Sequence, residues 1–346
     1  MSSREDHVAD ERLREDHVAD ERLREDHVAD ERLREDHVAD ERLREDHVVD
    51  VGRGIQLCYD GFGDPADPPV LLIPGLGQQL HSWPDDFAAE LAARGLRVVR
   101  FDNRDVGRST HMDYPAPNPI AVLRGGNHPR QYHLGDMARD TVGLLDALGY
   151  RDAHLVGISM GGMIAQTVAA QYPGRVRTLT SIMSNTGAPR IGRPAPSTWW
   201  RMATARPPRN RMEAIDGAVK IFKHIGSHGY PFDEGWVREK AGVAWDRDPT
   251  SDGVTRQLAG VFASGDRTAE IGAIEVPTLV IHGDRDRMVH PTGGVATARA
   301  IPRAKFVTMP GMGHDLPFGA WGRILDLIAD HTAPASVVTA TNEEQA

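Results

Sequence analysis

Short apolar runs alternate with amphipathic, helix-like stretches along most of this chain, and that alternation leaves few folds open to it. Strands are expected at 55–59, 70–73, 96–101, 154–158, 176–183, 278–282 and 305–309. Helices are expected at 84–94, 134–148, 160–171, 294–300 and 321–331. Between 185 and 270 the strand pattern disappears and aromatic residues accumulate. The expected fold class is therefore α/β, a mostly parallel sheet with helices on both faces and a helical cap inserted into it. Its expected limits are 51–184 with 271–333 for the core, 185–270 for the cap and 334–346 for a frayed C-terminus.

The first fifty residues obey a different rule. The decapeptide REDHVADERL is repeated four times over 4–43, and a truncated copy fills 44–50. These fifty residues hold nine arginines, no lysine and nineteen acids, so they carry the whole net charge of −10. The other residues balance 31 basic against 31 acidic. Val8, Leu13, Val18 and Leu23 recur at a spacing that turns about 500° per step at 3.6 residues per turn, so no apolar stripe and no coiled coil is expected. Asp10 with Arg14 and Asp20 with Arg24 supply only i,i+4 pairs worth a few tenths of a kcal/mol each. The tail reads as a solvated arm, disordered or partly helical, and residue 50 as its end. It is either an interaction or self-association segment or a tandem duplication without a role. One histidine per repeat, ten residues apart, makes a poor metal site.

Composition excludes several functions. A globular part with no basic excess has no electrostatic footprint for nucleic acid. The single cysteine, Cys58, cannot form an intrachain disulfide and reads as a small buried hydrophobe. No apolar run reaches membrane-spanning length and the N-terminus lacks the pattern of a secretory signal, so a cytoplasmic location is expected. No HExxH, CxxC, GxxxxGK[ST] or full GxGxxG is present, so no metal and no cofactor is required.

One motif carries the chemistry. Gly157-Ile158-Ser159-Met160-Gly161 follows an apolar strand and opens a helix. A sharp strand-to-helix turn lifts the serine oxygen clear of the sheet, and small residues on either side let the backbones close up. The helix start also offers unpaired N–H groups to developing negative charge. A serine hydroxyl needs a base, and the base needs an orienting acid. Asp286 and His314 stand in loops that leave the carboxyl ends of the last two expected strands, where such groups belong in this architecture. Asp284, one residue past Gly283, is the rival acid and reads better as a turn former. His331 is the rival base and reads better as a helix cap. The backbone N–H groups of Met160 and of Leu76, in the Pro74-Gly75-Leu76-Gly77 loop, are the expected oxyanion donors.

These pieces resemble a known family. The stretches GDPADPPVLLIPGLG, SWPDDFAAEL, LRVVRFDNRDVGRST, DAHLVGISMGGMIAQ, VPTLVIHGDRDRMV and PGMGHDLP are similar to those of the α/β-hydrolase superfamily. The resemblance is specifically to bacterial carboxylesterases of the aclacinomycin-methylesterase and mycobacterial LipG type. It spans roughly 54–331 and implies the α/β-hydrolase fold, Ser159, Asp286 and His314 as nucleophile, acid and base, and Leu76 with Met160 at the oxyanion hole. Where the family has a histidine before the oxyanion glycine, this chain has Pro74, which leaves the backbone donor intact. The tail is not part of the family pattern.

Other conspicuous residues receive supporting roles. Asp102, Arg104, Gly107 and Ser109 are expected to brace loops around the site. Trp199, Trp200, Met202, Met212, Ile221, Phe222, Trp236, Trp245 and Phe262 are expected to divide between the core of the cap and an apolar pocket over Ser159. The expected activity is hydrolysis of a small-molecule carboxylic ester through an acyl-enzyme. The alternatives are a cofactor-free haloperoxidase or perhydrolase on the same residues, and a non-catalytic binding protein on the same fold.

Overall fold

The computed structural model describes residues 46–118, 128–250 and 252–333. The four complete repeats and the C-terminus from Pro334 lie outside the described residues. The described chain forms an eight-stranded sheet from β1 (His47–Asp50), β2 (Gln56–Phe62), β3 (Pro69–Ile73), β4 (Arg97–Phe101), β5 (Ala153–Ile158), β6 (Val176–Ile182), β7 (Thr278–Gly283) and β8 (Lys305–Met309). Their spatial order is β1-β2-β4-β3-β5-β6-β7-β8. The pairs β1–β2 and β2–β4 are antiparallel, and every later pair is parallel.

The central strands explain themselves. β3 reads Pro-Val-Leu-Leu-Ile and all five residues are buried, as a parallel strand covered on both faces requires. Alternate side chains serve opposite layers. Leu71 and Ile73 join Val99, Phe101 and Leu155 on one face, beneath α2 (Leu134–Ala147) and α3 (Met160–Gln171). Val70 and Leu72 join Val98, Val156 and Ile281 on the other, beneath α1 (Asp85–Ala92) and α10 (Trp321–Thr332).

Between β6 and β7 the described chain forms α4 (Pro196–Thr204), α5 (Arg211–Ile225), α6 (Glu234–Arg247), α7 (Asp252–Ser264) and the single turn α8 (Thr268–Ile271). α9 (Thr292–Ala300) then crosses between β7 and β8. No helix of the described residues is long and apolar enough to cross a membrane.

The folded body begins earlier than the composition break suggested. His47–Asp50, assigned to the tail on charge, pairs antiparallel with β2, setting Val49 opposite Leu57. Val49 packs against the core while Val48 faces solvent, the alternation of an edge strand. Just before it, Asp46 accepts from Arg247 of α6 and from Arg108. A charge census cannot see this strand, because two alternating valines are enough to make it.

The insertion's apolar residues also depart from expectation. Trp200 is 72% exposed, Met212 61% and Phe262 43%, and none of the nine named residues is fully buried. The buried apolar side chains there are smaller: Ile215, Val219, Ile225, Val237 and Ala259.

Candidate active site

Ser159 occupies a backbone conformation that its local sequence makes possible. Its φ is +52° and ψ −118°, a region that non-glycine residues rarely enter. The turn survives because its neighbours are small. A Cβ on Gly161 would fall inside contact distance of the Ile73 and Pro74 carbonyls, so α3 could not approach β3 with any larger residue there. Ser159 N–H donates to Ile182 O at 3.0 Å, and Ser184 Oγ donates to Ser159 O at 2.8 Å. The turn is thereby fastened to β6.

Strands β5, β7 and β8 are parallel, so the loops leaving their carboxyl ends share one edge of the sheet. Ser159, Asp286 and His314 meet there. His314 Nε2 lies 3.0 Å from Ser159 Oγ, and His314 Nδ1 lies 2.7 Å from Asp286 Oδ2. A carboxylate only accepts, so Nδ1 carries the proton and Nε2 presents its lone pair to the serine hydroxyl. The three residues proposed from sequence are thus brought into one hydrogen-bonded line.

Asp286 is built to stay ionised. Its Oδ1 accepts from the Met288 and Val289 N–H groups at 2.8 Å each, and its Oδ2 faces His314 with His282 Nε2 3.4 Å away. Burial by itself would raise the carboxyl pKa. The charge and N–H of His314 and the N–H of His282 outweigh it, holding the group well below the usual carboxylate range.

The rivals are engaged elsewhere. Asp284 Oδ1 accepts from Gly311 N at 2.7 Å and braces the loop before His314. His331 Nε2 lies 3.2 Å from both Leu179 O within β6 and Pro277 O just before β7, so instead of capping its helix it ties α10 to the sheet. The residues of the 102–109 loop brace as expected. Asp102 accepts from Leu80 N, Arg108 N and Arg247, and Ser109 Oγ donates to Asp102 O. Arg104 pairs with the buried Asp140. Gly107 takes φ +62° against the Asp102 carboxylate, leaving no room for a Cβ. Cys58 is fully buried, and burial pushes its thiol up to about 12.

The N–H groups expected to receive an oxyanion are not committed to protein acceptors among the described residues. Of the N–H groups of Gly75, Leu76 and Gly77, the first donates to Gln78 Oε1 at 2.9 Å and the third to Gln257 Oε1 at 2.8 Å. Neither Leu76 N–H nor Met160 N–H has an acceptor among the described residues. The two unengaged donors flank the serine from two different elements, which suits a transient anion.

Four residues around the site escaped the sequence reading. His282 lies four positions before Asp286, is fully buried, and donates from Nε2 to Val289 O at 2.8 Å. Gln78 directly follows the 74–77 loop and holds Gly75 N through its Oε1. Ser227 Oγ accepts from Gly313 N at 2.8 Å and donates to Asp315, while His314 N donates to Ile225 O at 2.8 Å. Gln257 lies 180 positions from the glycine it holds. A pattern search near Asp286 could have found His282. No local signal marks Ser227 or Gln257, because their partners are remote in the chain.

Comparison with known proteins identifies the fold family. A family model for the alpha/beta hydrolase fold matches residues 68–319. A rhodomycin D methylesterase of Streptomyces sp. (strain C5) is 32% identical over 301 residues, covering 82% of this chain and 97% of that protein. A non-heme haloperoxidase of Rhodococcus erythropolis is 28% identical over 254 residues, covering 68% of this chain and 84% of its own. Among solved structures, the enol-lactonase from Burkholderia xenovorans LB400 aligns with a TM-score of 0.63 at 22% identity, covering 82% of this chain and 98% of that one. That last likeness concerns the fold.

Proposed function

The chain belongs to the α/β-hydrolase fold family as a carboxylesterase-like enzyme, and from that premise we propose that it cleaves small or apolar carboxylic esters through a Ser159-His314-Asp286 triad. The observation that carries this reading is the unbroken line of contacts from Ser159 Oγ through both nitrogens of His314 to Asp286 Oδ2. In this reading the catalytic core is formed by residues 46–184, now including β1, and 271–333, and 185–270 form the cap that shapes the substrate space.

The chemistry follows from the contacts. His314 Nε2 takes the hydroxyl proton as Ser159 Oγ attacks the ester carbonyl. Negative charge moves to the carbonyl oxygen, where the Leu76 and Met160 N–H groups receive it. Asp286 stabilises the imidazolium and holds its ring orientation. The imidazolium then donates its proton to the leaving alcohol, so the C–O bond breaks and an acyl-serine remains. Water, deprotonated by the same nitrogen, attacks that acyl group. The tetrahedral adduct collapses, the imidazolium returns its proton to Ser159 Oγ, and the carboxylic acid is released.

The test is an ester panel graded by acyl length, run on wild type and on Ser159→Ala. The methylesterase relative acts, by its name, on rhodomycin D, so methyl esters belong in that panel. Turnover that survives the substitution would sink the reading. A second activity, peroxide-dependent perhydrolysis or halogenation on the same triad, is favoured by the similarity to a non-heme haloperoxidase. Bromination of monochlorodimedone with acetate and peroxide, set beside p-nitrophenyl ester turnover, separates the two.

A further inference from the structure

The oxyanion loop is held by an amide from the helical insertion. Gln257 of α7 is fully buried, accepts from Gly77 N–H at 2.8 Å and donates from Nε2 to Arg104 O at 2.8 Å. One side chain therefore joins the loop after β3 to the loop after β4. Its own helix is fixed by the adjacent Arg256, which is buried and paired with Asp105 at 2.8 Å, and which also donates to Tyr114 O at 3.0 Å. Gly253 of the same helix packs so tightly on Asp105 O that a Cβ would not fit. Val254 lies against Gly77, with φ +66° at the glycine and the valine methyls 3.0 and 3.1 Å from where a Cβ would stand.

The consequence falls on Leu76. Three successive N–H groups at Gly75, Leu76 and Gly77 could each rotate toward an anion. Gln78 engages the first and Gln257 the third. The Leu76 N–H shares its peptide plane with Gly75 O, which accepts from Gln78 N at 3.2 Å, and the bond from Gly77 N–H to the buried Gln257 fixes the next plane, so the segment on which the Leu76 N–H turns is pinned on both sides. Preorganised donors stabilise a transition state because they need no reorientation when charge develops.

We infer that Gln257 is a positioning residue that fixes the Leu76 N–H in the orientation that receives the oxyanion. This deepens the esterase reading and rests on it. The insertion then does more than bound the substrate space: it sets the electrostatics of the reacting carbonyl from a distance.

The experiment compares Gln257→Met and Gln257→Glu with wild type on p-nitrophenyl esters, reading kcat and KM separately, with thermal unfolding alongside. Methionine keeps the volume but leaves Gly77 N–H without an acceptor. Glutamate keeps an oxygen for Gly77, and in its protonated form restores both bonds. Positioning predicts a kcat order of wild type, then Glu, then Met. The Met variant should lose tenfold or more in kcat with KM within about twofold. It should also lose affinity for an arylboronic acid, a mimic of the tetrahedral adduct, by a similar factor. A residue that only filled space would give the opposite order, because a buried carboxylate is worse tolerated than methionine. That order, or kcat unchanged in the Met variant, overturns the proposal. If the Met variant does not fold, the Glu variant decides alone. Retention of a tenth or more of wild-type kcat supports positioning, and a loss beyond a hundredfold with native circular dichroism refutes it. Wild type that neither turns over esters nor labels at Ser159 would instead defeat the esterase reading itself, so the two failures are distinct.

Discussion

Ser159 Oγ and His314 Nε2 stand 3.0 Å apart although 155 positions separate the two residues in the chain. This proximity needs no substrate to create it. If His314 serves Ser159 as its base, as proposed, a fluorophosphonate should label Ser159 in wild type. In His314→Ala, labelling should slow by at least about a thousandfold, since the elbow and donors remain but the base is gone. Intact-mass spectrometry over a time course reads the rate. Equal labelling of the two proteins would break the pairing.

Replacing Asp286 by Asn tests the orienting acid. The amide can accept no second proton and can present its NH2 to His314, favouring the wrong tautomer. A fall in kcat of about 10⁴-fold is expected, as for the equivalent change in serine proteases. The same change tests the carboxyl's low pKa. A carboxyl whose folded pKa lies below its unfolded value of about 4 adds stability above that value and loses it as pH falls toward the folded pKa. Urea midpoints of wild type and Asp286→Asn should therefore converge between pH 5 and pH 2. A gap that stays constant across that range would show that the charge contributes nothing.

A half-buried and a buried histidine set a second acid limit. Burial lowers His81 and His154 from 6.5 to about 4, with nearby arginines adding to the effect. Both are neutral in the fold, and His154 Nδ1 pairs with Thr178 Oγ1 at 2.9 Å. A depressed histidine pKa means the unfolded chain takes up the proton first. Stability is then complete above pH 6.5 and lost as pH falls from 6.5 to 4. The melting temperature of wild type should drop across that window, and the drop should be shallower in His154→Gln. Parallel curves for the two would refute the assignment.

The start of the folded body can be placed by truncation. A chain beginning at Asp46 keeps β1 and the carboxylate that meets Arg247, whose side chain is only 6% exposed. A chain beginning at Val51 uncovers the edge of β2 and leaves that guanidinium with one carboxylate, Asp102, beside the neutral Gln79 Oε1. The longer form should melt several degrees higher, because a buried cation that loses a partner costs on the order of 1–3 kcal/mol. Identical melting curves would make β1 dispensable.

Local rules made much of this protein legible from its residues. Strand β8 and helix α3 lie where periodicity placed them, and the elbow at Ser159 follows from Gly157 and Gly161 flanking a strand-to-helix junction. Once the strands are parallel, the ends of β5, β7 and β8 must share an edge, so the positions of Ser159, Asp286 and His314 followed from chain order. Spacing alone favoured Asp286 over Asp284, and tertiary structure shows the contact each carboxylate makes, Asp286 with His314 and Asp284 with Gly311 N. Tertiary structure alone made His47–Asp50 a strand, recruited Ser227 to the His314 loop and set Gln257 against Gly77. Those contacts join segments with no shared periodicity or motif, and only close packing determines which side chain reaches which N–H.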